Sequence, residues 1–123
     1  MAIIPGAGGT QRLSRLVGPA KAKELIFTGK ILSSQESFNY GLVNASVAGS
    51  SLDLAFEMAK QISKNGPVGV QMAKQAIDKG LDVGLSQGLD IEKACYQNVI
   101  NTVDRLEGLR AFLMKRDPIY IGK

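Results

Sequence analysis

Apolar residues recur along most of the chain at the three- and four-residue spacing of helices, with little strict alternation. Leu13, Leu16 and Val17 share one side of a helix predicted over 10–17. Gly18-Pro19 closes it and starts another over about 19–28, because proline suits the first helical turn. Gly29 ends that second segment. Ser33-x-x-Glu36 is a capping box and predicts a short helix to about residue 40, stopped by Gly41. Residues 42–47 are the one stretch with extended character, from Val43 and Val47. Ser50 or Ser51 then caps a longer helix whose Leu52, Ala55, Phe56, Ala59 and Ile62 lie on one face. Asn65-Gly66-Pro67 ends it. Three more helices are predicted over about 67–79, 83–100 and 103–115. Their stripes are Val68, Met72, Ala73, Ala76 and Ile77, then Leu85, Leu89, Tyr96 and Val99, then Leu106, Leu109 and Phe112. Asp117-Pro118 stops the last. The expectation is a mostly α chain with at most one short strand, at about 42–47.

At 123 residues and 45% hydrophobic, 21% charged composition, the chain suits a single folded region and not a disordered one. No apolar run reaches the eighteen or so residues of a bilayer-spanning helix, so no membrane partner is expected. The opening Met-Ala-Ile-Ile-Pro-Gly has no basic region and no long apolar one, so no secretory signal or transit peptide is expected there. One cysteine, Cys95, precludes an internal disulfide, and the lack of histidine removes Ser-His-Asp and Cys-His catalysis. No metal site is expected, because carboxylates would have to hold the ion almost alone. The net charge of +4 resides in residues 1–30, where Arg12, Arg15, Lys21, Lys23 and Lys30 face only Glu24. Such a segment suits a phosphate-bearing ligand or RNA, or simply a solvated helix surface.

The glycine-rich turn Pro5-Gly6-Ala7-Gly8-Gly9-Thr10 matches neither the dinucleotide fingerprint, which needs glycine where Gln11 stands, nor the Walker pattern. It is either a loop whose amides approach a ligand or a tight turn into a helix. Among the glutamates, Glu36 belongs to the capping box, Glu57 to a polar face, and Glu107 lies between Arg105 and Arg110. Glu92 alone interrupts an apolar stripe. A half-buried carboxyl there would suit an acid or base, or a structural ion pair. Cys95 reads as a small core residue.

Taken together, Ile3-Ile4-Pro5-Gly6-Ala7-Gly8-Gly9-Thr10-Gln11-Arg12-Leu13 resembles the segment after the active-site turn in the enoyl-CoA hydratase/isomerase (crotonase) superfamily. Lys23-Glu24-Leu25-Ile26-Phe27-Thr28-Gly29-Lys30 and Met72-Ala73-Lys74-Gln75-Ala76-Ile77 resemble later family segments in the same order. Asp104-Arg105-Leu106-Glu107-Gly108-Leu109-Arg110-Ala111-Phe112-Leu113-Met114-Lys115-Arg116 resembles its C-terminal signature. Residues 88–96 and 104–109 look most like the methylglutaconyl-CoA hydratase and AU-rich-RNA-binding branch.

The resemblance implies the C-terminal helical part of a crotonase-like α/β fold, with 1–47 ending the core region and 48–123 forming the trimerisation region. It implies addition of water to 2-enoyl-CoA thioesters in fatty-acid or leucine breakdown, in mitochondria, with coenzyme A carried by the substrate and no separate cofactor. The family's two catalytic glutamates and both oxyanion amides match positions upstream of Met1, so no catalytic residue is assigned here and the chain alone is expected to be inactive. Gly6 matches the glycine whose N–H helps hold the catalytic water. Phe112 and Lys115 match positions that pack on the CoA adenine and meet its phosphates. The implied partners are an acyl-CoA and either copies of itself (a trimer or dimer of trimers) or a full-length relative. The alternatives are a non-enzymatic helical oligomerisation module and, resting on residues 12–30 without an aromatic platform, RNA binding.

Overall fold

A computed structural model describes residues 2–123. Among them run α1 (Gly9–Val17), α2 (Pro19–Thr28), α3 (Ser34–Asn39), α4 (Ser51–Ser63), α5 (Pro67–Gly80), α6 (Leu85–Ile100) and α7 (Val103–Leu113). They fall into two compact units, the first ending at Ser51 and the second covering Leu52–Lys123.

In the first unit, α1 packs on α2. Gly18, at φ 84°, ends one helix and precedes the other. Pro19 then supplies the fixed φ of a first helical turn. Ala22 and Leu25 are the buried apolar residues of α2. Ser33 accepts from the Glu36 N–H while the Glu36 carboxylate accepts from the Ser33 N–H, completing the capping box of α3. Residues 42–44 bend and 45–47 have no regular structure, so the described residues hold no strand, within the expectation of at most one. Valines favour extended backbone, but a strand is stable only where a neighbour pairs with its amides and carbonyls, and none is present.

In the second unit, α5 packs against α6. At Gly80 and Gly88 they meet backbone to backbone: a Cβ on Gly88 would stand 3.5 Å from the Gly80 carbonyl oxygen. Cys95 is buried on α6, as its reading as a core residue requires. Ala111 is the buried apolar residue of α7. Helix α6 starts at Leu85, two residues later than the periodicity predicts, because Gly84 is extended and acts as its N-cap. Helix α7 stops at Leu113, short of the predicted 115, because the backbone turns left-handed at Lys115, φ 51°. The stripes themselves stay wet: Leu52 on α4, Leu85 on α6 and Phe112 on α7 are all exposed.

Candidate functional site

Helix α7 and the segment that follows it carry a connected set of polar contacts in the second unit. Thr102 caps the helix, its hydroxyl oxygen accepting from the Arg105 N–H at 3.1 Å. Asp104, in the first turn and buried, accepts from the backbone N–H groups of Ile121 at 2.7 Å and Gly122 at 2.8 Å. Its own N–H donates to the Lys123 carbonyl at 3.0 Å. Glu107, one turn on, accepts from both terminal nitrogens of Arg116, at 2.6 and 2.9 Å, and from the Ile119 N–H at 3.0 Å. Two carboxylates on α7 thus strap residues 116–122 back along the helix. The Arg116 bond, followed by the Ile119 amide, lowers the Glu107 pKa to about 2, and the same bond raises that of Arg116.

The reversal into this strap needs an unusual backbone. Met114 N–H donates to Arg110 O at 3.0 Å and Arg116 N–H to Ala111 O at 3.1 Å, the pattern of a helix closed by a left-handed residue. Glycine commonly fills that place, because a Cβ there costs about 1–2 kcal/mol. Lys115 occupies it instead. Phe112 is 82% exposed one turn before, and Lys115 is exposed. The chain therefore presents an uncovered aromatic ring and an exposed lysine at one helix end. Phe112 and Lys115 are three residues apart at this end of α7 and both exposed; Gly6 lies in the other unit.

Around Gly6 the loop is closed by its own backbone. Gly9 N–H donates to Gly6 O at 3.0 Å, and Arg12 N–H donates to Gly8 O at 2.8 Å. The Arg12 guanidinium donates to the Ala7 carbonyl, and Ala7 sits at φ 50°. A Cβ on Gly9 would lie 2.9 Å from that of Pro5, so glycine is sterically required there, whereas at Gly6 it would enter open space. Elsewhere in this unit the basic residues are partly spent. Lys21 and Lys30 stand over the Tyr40 ring, 5.2 and 5.7 Å from its centroid, and Lys30 pairs with Glu36 at 3.0 Å. The Ser33 N–H, then Lys30, hold the Glu36 pKa at about 2.

Glu92 is not half-buried as the apolar stripe suggests; it is exposed at the edge of grooves between α5 and α6, because no further layer in this unit covers that face. A separate groove of about 470 Å³ is lined by Gly69, Val70 and Ala73 of α5, Gly108 and Leu109 of α7, and Tyr120. It contains neither Phe112 nor Lys115. Among the described residues no cluster of three potential metal ligands occurs, and no helix is long and apolar enough to cross a membrane. Sequence reasoning missed the roles of Asp104, Glu107 and Arg116. Their pairing depends on a chain reversal that no local spacing announces.

The sequence profile described as enoyl-CoA hydratase/isomerase matches residues 1–123. The chain is 56% identical over 123 residues to a protein of Arabidopsis thaliana named probable enoyl-CoA hydratase 2, mitochondrial, covering 99% of this chain and 41% of that one. It is 46% identical over 128 residues to the methylglutaconyl-CoA hydratase, mitochondrial, of Rattus norvegicus, covering 100% and 41%. The crystal structure of an enoyl-CoA hydratase from Bacillus anthracis superposes with a TM-score of 0.95 at 54% identity, over 99% of this chain and 48% of that one. The chain spans under half the length of these relatives.

Proposed function

The chain belongs to the enoyl-CoA hydratase/isomerase family, and we propose that it forms the CoA-contacting and assembly part of a hydratase that adds water to 2-enoyl-CoA thioesters. One observation carries this reading: the match to hydratases runs through the whole chain, in sequence and in backbone. In this reading Phe112 packs on the adenine, Lys115 meets the phosphates, and the Gly6 N–H helps hold the attacking water. The open space around Gly6 and the exposure of Phe112 and Lys115 support those roles. The compartment is mitochondrial, as the names of several relatives suggest for those proteins.

Hydration requires two amides to polarise the thioester oxygen, one carboxylate to activate water and a second acid to protonate C2. By the family resemblance, the residues for all four tasks precede the Pro5-Gly6 turn and are not among these 123. Loss of a single oxyanion donor costs about two to three decades in rate, so the chain alone is inactive. The apolar faces of α4, α6 and α7 are buried by assembly, in trimers, in a dimer of trimers or with a full-length relative.

Those same faces favour a second reading, a helical oligomerisation module without chemistry. RNA binding draws less support, since Lys21 and Lys30 are already engaged with Tyr40 and Glu36. Co-expression with the upstream half of the Bacillus anthracis enzyme separates the first two. The hydratase reading expects crotonyl-CoA turnover from the mixture and from neither part alone. Assembly without turnover would favour the module, and turnover that follows the purified chain by itself would overturn its inactivity.

A further inference from the structure

We propose that Glu107 and Arg116 are positioning residues for the anion contact made by Lys115, and that the left-handed backbone at Lys115 is kept for that contact. This rests on the reading of Lys115 as a CoA-phosphate contact.

Lys115 and Ala7 are the non-glycine residues with positive φ among those described. A left-handed helix end is ordinarily given to glycine, and strained backbone that persists where glycine would fit points to a functional demand on the side chain. No contact inside the chain supplies that demand, because the Lys115 ammonium has no hydrogen bond or ion pair among the described residues. Its neighbour is the opposite case. Arg116 is committed through two bonds to Glu107 and a third, at 3.0 Å, to the Asp117 carbonyl. Of two adjacent basic residues, one is anchored and one is offered to solvent. The Glu107 carboxylate also grips the Ile119 N–H, so the chain is held on α7 at 116 and 119, immediately after the strained residue. Released from that grip, residue 115 relaxes to right-handed backbone and its ammonium changes direction relative to the end of α7.

The test is an NMR titration of the full chain with coenzyme A at millimolar concentration, beside urea unfolding of the same variants. Lys115→Met should weaken binding several-fold. Glu107→Gln and Arg116→Lys, which loses the two-pronged geometry but keeps the charge, should each weaken it while leaving Lys115 in place. In the Lys115→Met background, Glu107→Gln should cause no further loss, because it acts through the absent ammonium. Lys115→Gly should bind weakly yet unfold at higher urea, since glycine relieves the strain. An equal Glu107→Gln loss in both backgrounds, or a lower urea midpoint for Lys115→Gly, overturns the proposal. If Lys115→Met weakens binding and Glu107→Gln does not, the positioning role alone fails. If wild type does not bind, or Lys115→Met binds as wild type does, the CoA reading of Lys115 fails and this inference falls with it.

Discussion

Asp104 and Gly122, eighteen residues apart in sequence, are joined by a hydrogen bond of 2.8 Å from the glycine N–H to Oδ2. The other carboxylate oxygen holds the Ile121 N–H, so one buried side chain satisfies two backbone donors of the strap. Removing it leaves both donors without their charged acceptor. Asp104→Ala should cost about 3–6 kcal/mol, on the scale of two hydrogen bonds to a carboxylate. Urea unfolding gives the magnitude. Amide exchange should accelerate first at Ile121 and Gly122, and unchanged protection there would contradict the role assigned to Asp104.

The Glu107 clamp carries a pH dependence whose sign is fixed by its lowered pKa. The folded value is about 2 against an ordinary 4.5, so the contribution is complete above the ordinary value and fades as pH falls toward 2. An NMR pH titration following the Ile119 N–H should show its midpoint near the low value in wild type. In Arg116→Gln the midpoint should move up toward 4.5, because the foremost cause of the shift is gone. A midpoint unmoved by that substitution would show that Arg116 does not hold Glu107 in solution.

Gly108 faces the Tyr120 hydroxyl: a Cβ there would lie 3.1 Å from the oxygen but 3.7 Å or more from the ring carbons. Alanine in a helix interior gains about 0.5–1 kcal/mol over glycine. That gain should appear for Gly108→Ala in a Tyr120→Phe background and be largely offset in wild type, where the strapped phenol must shift. Thermal unfolding of the four members of this cycle measures the difference, and equal gains in both backgrounds would remove the hydroxyl as the cause.

Leu85, Phe112 and Leu113 are 80%, 82% and 80% exposed. Leaving such apolar surface in water forgoes about 25 cal/mol for each Å² that could be covered. Light scattering at micromolar concentration should therefore find assemblies of the chain, or co-assembly with an added full-length hydratase. A stable monomer of 13.1 kDa in both samples would count against buried helix faces.

What the sequence reveals of this fold follows from the range of its signals. Gly18-Pro19, the Ser33/Glu36 box and Asn65-Gly66-Pro67 act within a few residues, and the helices begin or end close to where these place them. The valines at 42–47 allowed at most one strand, and whether it formed depended on a distant pairing partner that local spacing does not reveal; none formed among the described residues. At α7, Lys115 brings a left-handed turn without the glycine that would have announced it, so the helix ends early. Glu107 sits between Arg105 and Arg110 in sequence, yet it pairs with Arg116, because only the reversed strap brings opposite charge to its carboxylate oxygens. Glu92 looks half-buried when its stripe is assumed to be covered. The family resemblance singled out Phe112 and Lys115, while the bonds of Glu107 to Arg116 and Ile119 beside them were legible only from geometry.

The meeting of Gly80 with Gly88 has a consequence in time. Only a short loop separates α5 from α6, so these helices can find each other after little chain diffusion, and closing a loop of about ten residues takes roughly 10–100 ns. With hydrogen atoms where side chains would stand, the two backbones need no rotamer search where these glycines meet. The strap must wait for a longer excursion, since Asp104 recruits its amides across eighteen residues. Refolding of the second unit should accordingly be staged, with the α5–α6 hairpin as its early nucleus and the strap as a late closure. Substitutions at the Gly80–Gly88 crossing would then slow folding, and those at Asp104 would chiefly hasten unfolding.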